Sequence, residues 1–245
     1  MKKKGILRMI LSFTHEIGEV EFESWRWKIP LTMEPMCMLV MESPETRTVL
    51  ENVRWETFLE LAEQRRGSVP RMTFDEGVLE MMCPKRQHEN IGRLIGRMIE
   101  TYSEVLGIEI QSVASTTFKR KDLKKAFEAD ESYYVQHAEQ IRPKEEIDLT
   151  VDPPPDLVIE VEITSSAIMK LKLFAAMGVP EVWRHDGERM EMFVLQVGQY
   201  NAIDSSLALP GLAAATINAT LQRRFELGET ALIREFRRSI EVSNT

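Results

Sequence analysis

Hydrophobic and polar positions alternate most regularly between residues 157 and 163. Leu157, Ile159, Val161 and Ile163 fall on one face of a strand, and Val158, Glu160 and Glu162 fall on the other. Pro153, Pro154 and Pro155 precede this stretch. They cannot donate to a ladder and they hold the backbone extended, so they deliver the chain stiffly into the strand. The proline-led entry and the apolar flanks predict a central strand, with two carboxylates one pleat repeat apart, roughly 6.5–7 Å between Cα atoms. Acids so placed repel each other and lose hydration, so a positive group is expected beside them, and a divalent cation is the economical candidate. The plainer alternative is an edge strand that shows its polar face to water.

The rest of the chain mixes both periods. Trp55, Phe58, Leu59 and Leu61 predict an amphipathic helix over 55–66, closed by Gly67. Residues 71–74 and 78–82 predict a hairpin around Asp75-Glu76-Gly77, with Val78, Glu80 and Met82 sharing a face. A long helix is predicted over 87–106, where Ile91, Leu94, Ile95, Met98, Ile99, Tyr102, Val105 and Leu106 recur at helical spacing and Gly107 stops it. Strands are expected at 108–113, 115–118 and 129–135, and a polar loop over 137–152. Residues 165–177 predict a helix opened by the capping serines Ser165 and Ser166 and stopped by Gly178. Strands at 179–183, at 189–195 and around Tyr200 follow, then two helices, the last over 229–240. This mixture predicts an α+β fold, a mixed sheet flanked by helices. Residues 1–40 show no period, so they are expected to be a poorly structured extension or the product of an upstream start codon. The domain proper then runs over 41–245.

Composition narrows the class. A chain of 245 residues, 43% apolar and 29% charged, can bury a full core and reads as a soluble globular protein. No apolar run approaches the ~20 residues that cross a bilayer. The opening Met1-Lys2-Lys3-Lys4 mimics a leader, but Arg8 breaks the short apolar segment behind it, so no export is expected. Cys37 and Cys83 have neither metal nor redox spacing, which suits a reducing cytoplasm. A net charge of -8 argues against broad adhesion to nucleic acid without excluding a local basic patch.

Several stretches together resemble the Uma-type restriction endonuclease family, of the PD-(D/E)xK nuclease-like fold. They are Thr48-Val49-Leu50-Glu51-Asn52-Val53-Arg54-Trp55, Gly77-Val78-Leu79-Glu80-Met81-Met82-Cys83-Pro84 with His88-Glu89, Ser115-Thr116-Thr117-Phe118, Ala129-Asp130-Glu131-Ser132-Tyr133-Tyr134, Pro154-Pro155-Asp156-Leu157-Val158-Ile159-Glu160-Val161-Glu162, and Gly178-Val179-Pro180-Glu181-Val182-Trp183. Order and spacing agree from about residue 47 to 212. The resemblance implies a restriction-endonuclease-like fold with the active carboxylates at the centre of its sheet. It places Asp130 and Glu160 at the two acidic motif positions, and Glu162 where many such nucleases carry lysine. It also implies a basic residue from the following helix, Lys170 by position. Lys172 diverges from Lys170 by about 200° on a helix, so the two cannot both face the acids.

The expected site is therefore Asp130, Glu160, Glu162 and Lys170. Mg²⁺, or Mn²⁺ in its place, would sit on Asp130 and Glu160 with Glu80 as an auxiliary ligand. His88, Lys119 and Lys121 are candidate substrate contacts. Against each stands a plainer role: Asp130 as a turn residue, Glu80 in a structural ion pair with an arginine, His88 as a helix-start residue, and the basic run 119–125 as a solvated hairpin. The implied activity is metal-dependent hydrolysis of phosphodiester bonds in nucleic acid, DNA foremost, with a homodimer compatible. The rival is a nuclease-like domain without chemistry that serves as an interaction module.

Overall fold

A computed structural model of the protein describes residues 10–11, 19–22, 25–28, 37–42, 45–65 and 67–243. The strands in chain order are β1 (Ile10–Leu11), β2 (Glu19–Phe22), β3 (Trp25–Lys28), β4 (Cys37–Glu42), β5 (Glu45–Leu50), β6 (Arg71–Asp75), β7 (Val78–Cys83), β8 (Gln111–Ser112), β9 (Phe118–Arg120), β10 (Lys125–Phe127), β11 (Glu131–Tyr134), β12 (Leu157–Val161), β13 (Glu181–His185), β14 (Met190–Gln196) and β15 (Gln199–Ile203). The helices are α1 (Trp55–Gln64), α2 (Arg86–Leu106), α3 (Ala138–Ile141), α4 (Lys170–Ala176), α5 (Ala214–Gln222) and α6 (Glu229–Ser243).

The expected mixed sheet is present, with a second sheet beside it. The mixed sheet runs β15-β14-β13-β12-β11-β8, parallel between β12 and β13 and antiparallel elsewhere. The antiparallel sheet runs β1-β4-β5-β7-β6-β10-β9, and among the described residues β2 pairs only with β3. Of the residues expected to form the N-terminal extension, the described ones form β1 to β3 and the start of β4; the others lie outside the described residues.

The central position of β12 follows from its sequence, because every residue from Leu157 to Val161 is buried. Leu157, Ile159 and Val161 join a core with α2, α5 and α6, including Ile91, Leu94, Ile95, Leu232 and Phe236. The opposite face is not polar as alternation predicts: Val158 packs with Leu173 and Phe174 of α4 and with Phe118 and Phe127. A strand covered on both faces cannot show its acids to water, which disposes of the edge-strand alternative. A third core seals α1 onto the antiparallel sheet, where Phe58 stacks on Phe74 at 5.1 Å between ring centres.

Most element boundaries fall where periodicity put them, and α2 ends at Gly107 in the left-handed conformation that its missing Cβ permits (φ 64°). The exceptions have local causes. The strand expected over 108–113 shrinks to β8, and the one over 115–118 starts only at Phe118, because Ala114 and Ser115 form a turn. The loop over 137–152 contains α3, whose apolar residues Ala138 and Ile141 are buried. The helix expected over 165–177 begins at Lys170: the Ser166 hydroxyl donates to Glu80 of the other sheet and accepts the Ile168 N–H in a local turn ahead of the helix. Among the described residues no helix is long and apolar enough to cross a membrane.

Candidate active site

The site forms where the two sheets meet. The chain leaves β10, passes Glu128 and Asp130, and enters β11 beside β12. Glu131 pairs with Ile159, and Asp130 N–H donates to Ile159 O at 3.2 Å. Asp130 Oδ2 in turn accepts the Val161 N–H at 2.6 Å. Asp130 therefore grips the backbone on either side of Glu160, and the two acids are adjacent across neighbouring strands. Proline-stiffened entry into β12 and the pairing register bring them together, although thirty positions separate them in the chain.

Glu160 Oε2 accepts a 2.5 Å bond from Lys170 Nζ, with both side chains under a tenth exposed. Glu160 Oε1 is buried and has no partner among the described residues. Burial pushes Glu160 up to about 7, with Asp130 adding to the rise and Lys170 opposing it. Burial alone would lower Lys170, but Glu160 and Asp130 outweigh it and hold the ammonium above its ordinary value. Lys172 is exposed, so the divergence of the two lysines resolves with Lys170 on the acids.

Asp130 is held by cations as well. Arg71, at the start of β6, ion-pairs with Oδ1, and His88 Nε2 lies 3.3 Å from Oδ2. Arg71 also reaches Glu89 at 3.1 Å. Its guanidinium is held above its ordinary value because Asp130, Glu89, Glu160 and Glu131 together outweigh its burial. His88 is thus a buried neighbour of Asp130.

Glu80 is committed elsewhere. Its carboxylate accepts bonds from Arg47 at 2.5 Å, from the Ser166 hydroxyl at 2.9 and 3.0 Å and from the Ala167 N–H at 2.7 Å. It ties β7 to the segment that carries Lys170, so the arginine ion pair is the better description of it. Glu162 lies just past β12, where its N–H still bonds His185 O and Oε1 accepts the Ser166 N–H at 3.2 Å. Lys119 and Lys121 are exposed on the β9–β10 hairpin. Within that run Arg120 pairs with Asp122, and Lys125 with Asp75 and Glu76, so much of the basic patch is neutralised locally.

Sequence reasoning missed Arg71, Arg47 and Ser166. An aspartate without a positive neighbour in sequence signalled that a cation had to come from elsewhere, but nothing in the pattern says which arginine. Among the described residues no group of three or more His, Cys, Asp and Glu side chains could hold a metal ion. Mg²⁺ needs only one or two carboxylates with waters and substrate oxygens, so the unpaired Glu160 Oε1 fits it, and Asp130 fits it where the cation takes the place of Arg71 on Oδ1.

A family model named Uma2 and described as putative restriction endonuclease matches residues 55–227. Among solved structures, a protein titled as a putative nuclease belonging to DUF820 from Anabaena variabilis is similar, at 14% identity and a TM-score of 0.48. The match covers 68% of this chain and 98% of that one. No curated protein matches.

Proposed function

This chain belongs to the Uma2 family, described as putative restriction endonucleases, and from that premise we propose that it is a metal-dependent nuclease that hydrolyses phosphodiester bonds, of DNA foremost. The observation that carries this reading is the buried Glu160, paired through one oxygen and open at the other. A buried carboxylate left half-satisfied is costly, and such sites are where function concentrates.

Asp130 and Glu160 would hold Mg²⁺ or Mn²⁺, which when bound supplies a more acidic water and neutralises charge growing on the phosphate. Lys170 keeps its proton at neutral pH because both acids favour the charged form. It therefore serves the reaction as a positive group that orients water or steadies the charge of the transition state. Arg71 neutralises Asp130 when no cation is present and stands ready to meet substrate phosphate. Glu80 works at one remove, fixing the segment that aims Lys170.

The rival reading, an interaction module without chemistry, draws on one observation: Arg71 and Lys170 already neutralise both acids. A paired measurement separates the two. Melting temperature with and without Mn²⁺ is followed alongside cleavage of single- and double-stranded DNA and RNA, for wild type and Glu160→Gln. The nuclease gains metal-dependent stability and cuts, and the variant loses both. A wild type that does neither overturns the proposal and leaves the module.

A further inference from the structure

A cavity of about 450 Å³ opens beside Lys170, between the segment after β12, the first turn of α4 and the end of β13. Its wall includes Glu162, Ser165, Lys170, Lys172, Arg184 and Asp186. Its polar groups are not balanced. Each acid has one oxygen engaged: Glu162 Oε1 accepts the Ser166 N–H, and Asp186 Oδ1 accepts the N–H groups of Glu188 and Arg189. The donors are less used. Lys172 makes no ion pair or side-chain hydrogen bond among the described residues, and the Ser165 hydroxyl likewise has no partner there. Arg184 gives one nitrogen to Glu191 at 3.0 Å, while its Nε is buried without a partner.

A concave site with spare donors suits an anion that brings its own acceptors. Lys172, without an ion pair among the described residues, stands out in a protein of net charge -8. The volume suits a ligand about the size of one nucleotide. Met169, 64% exposed on the rim, adds an apolar edge against which a sugar or base could lie.

We infer that this cavity is a subsite for the nucleotide next to the scissile bond, with Lys172, Arg184 and Ser165 holding its backbone phosphate. The inference rests on the nuclease reading, and it divides the two lysines of α4 by role. Lys170 is turned onto the acids, and Lys172 meets the neighbouring phosphate of the strand. A phosphate held there fixes the register of the strand relative to Glu160 without reading its sequence.

The test measures binding of fluorescently labelled oligonucleotides to the full chain in EDTA, over a series of salt concentrations. Wild type is compared with Lys172→Gln, Arg184→Gln and Lys172→Arg, each first checked for an unchanged melting temperature. Lys172→Gln should weaken binding by roughly 3- to 10-fold for every sequence and flatten the slope of log K against log salt by about 1, one released counterion contact. Lys172→Arg should restore both, and Arg184→Gln should act like Lys172→Gln. If wild type binds and cuts while Lys172→Gln keeps its affinity and slope, the subsite is overturned and the nuclease reading stands. If wild type neither binds nor cuts any nucleic acid, both fall. If inorganic phosphate stabilises wild type but not Lys172→Gln while oligonucleotide binding is equal in the two, the cavity serves free phosphate and the subsite is again overturned.

Discussion

Glu128 and Glu160 are both buried carboxylates facing a buried cation, and they are built in opposite ways. Glu128 receives a two-pronged contact from Arg65 at 2.6 and 2.7 Å, the Met72 N–H at 2.9 Å and the Thr117 hydroxyl. Glu181, elsewhere in the mixed sheet, is filled in the same way by the Trp183 indole N–H and the N–H groups of Leu207 and Ala208. Glu160 has one lysine on one oxygen and nothing described on the other. An acid that holds a fold together is saturated, because any unmet lone pair costs stability. An acid left short is supported by the fold, and on the reading proposed above its spare oxygen serves a cation.

The sharpest way to break this comparison is Arg65→Met. It leaves Glu128 buried and unpaired, a change that costs about 3–5 kcal/mol. At 2–4 °C per kcal/mol for a chain of this size, the melting temperature should fall by roughly 6–20 °C. Thermal unfolding measures it. A fall of under about 2 °C would show that saturation of Glu128 is not what stabilises the junction between the sheets.

The sequence carried much of this fold and only part of the site. Alternation located β12, and a helical period located α2, because both elements bury contiguous apolar surface whose spacing is local. Adjacent same-face acids pointed to Glu160 for the same reason. Asp130 could be named only through the family resemblance, since its partner Val161 is far along the chain and its neighbours read as an ordinary turn. The acid two residues earlier, Glu128, looked no different, and what separates them is which arginine arrives from α1 or β6. Ser165 and Ser166 misled for the converse reason. Serines before an apolar run signal a helix cap, but here the Ser166 hydroxyl donates to Glu80 and accepts the Ile168 N–H in a local turn, and the helix starts later.

Glu160→Gln tests the other half of the comparison. It keeps size, removes the charge and weakens a hard oxygen donor. Burial has raised Glu160 to about 7, so loss of its charge relieves part of its desolvation, but it also leaves the buried Lys170 without its ion-pair partner, and the metal-free protein should melt below wild type by less than Arg65→Met does. Cleavage should fall by at least ~10²-fold and the Mn²⁺-induced rise in melting temperature should vanish, whereas Glu162→Gln should do less. A destabilisation without metal as large as that of Arg65→Met would place Glu160 with Glu128 among the structural acids.

Glu131 refines the picture on the opposite face of β11. It is half-buried between that strand and α2, where Gly96 leaves it room: a Cβ there would lie 3.4 Å from its carboxylate oxygen. Burial raises it from 4.5 to about 7, with Glu100 and Asp130 adding to the rise and Arg93 and Arg71 opposing it. The native state thus holds this proton more tightly than the unfolded chain does. The stability it contributes is fully present below about pH 4.5 and is lost as pH rises through about 7. Glu131→Gln cannot ionise, so at pH 8 it should melt about 2–4 °C above wild type, roughly 1 kcal/mol once screening of a partly exposed group is allowed for. At pH 5 the difference should shrink towards zero. An equal gain at both pH values would show that packing, and not charge, is responsible.

The smallest effect is expected at the start of the chain, which differs from both acid regions in having no described buried contact to lose. Residues 1–40 lack periodicity, and the family match begins only at residue 55. We propose that residues 1–35, which precede β4, do not serve the core. Among the described residues the β2–β3 hairpin pairs with neither large sheet, and β1 adds Ile10 and Leu11 to the edge of β4. A chain beginning at Met36 keeps β4, and with it the six-residue pairing that covers β5, the strand of Arg47. Its melting temperature should stay within about 0.5 kcal/mol of the full chain, about 1–2 °C, and its metal-induced stabilisation should be unchanged. A larger drop would mean that the first strands seal the antiparallel sheet. In that case the segment that Glu80 and Arg47 hold should loosen too, and cleavage would fall with stability instead of independently of it.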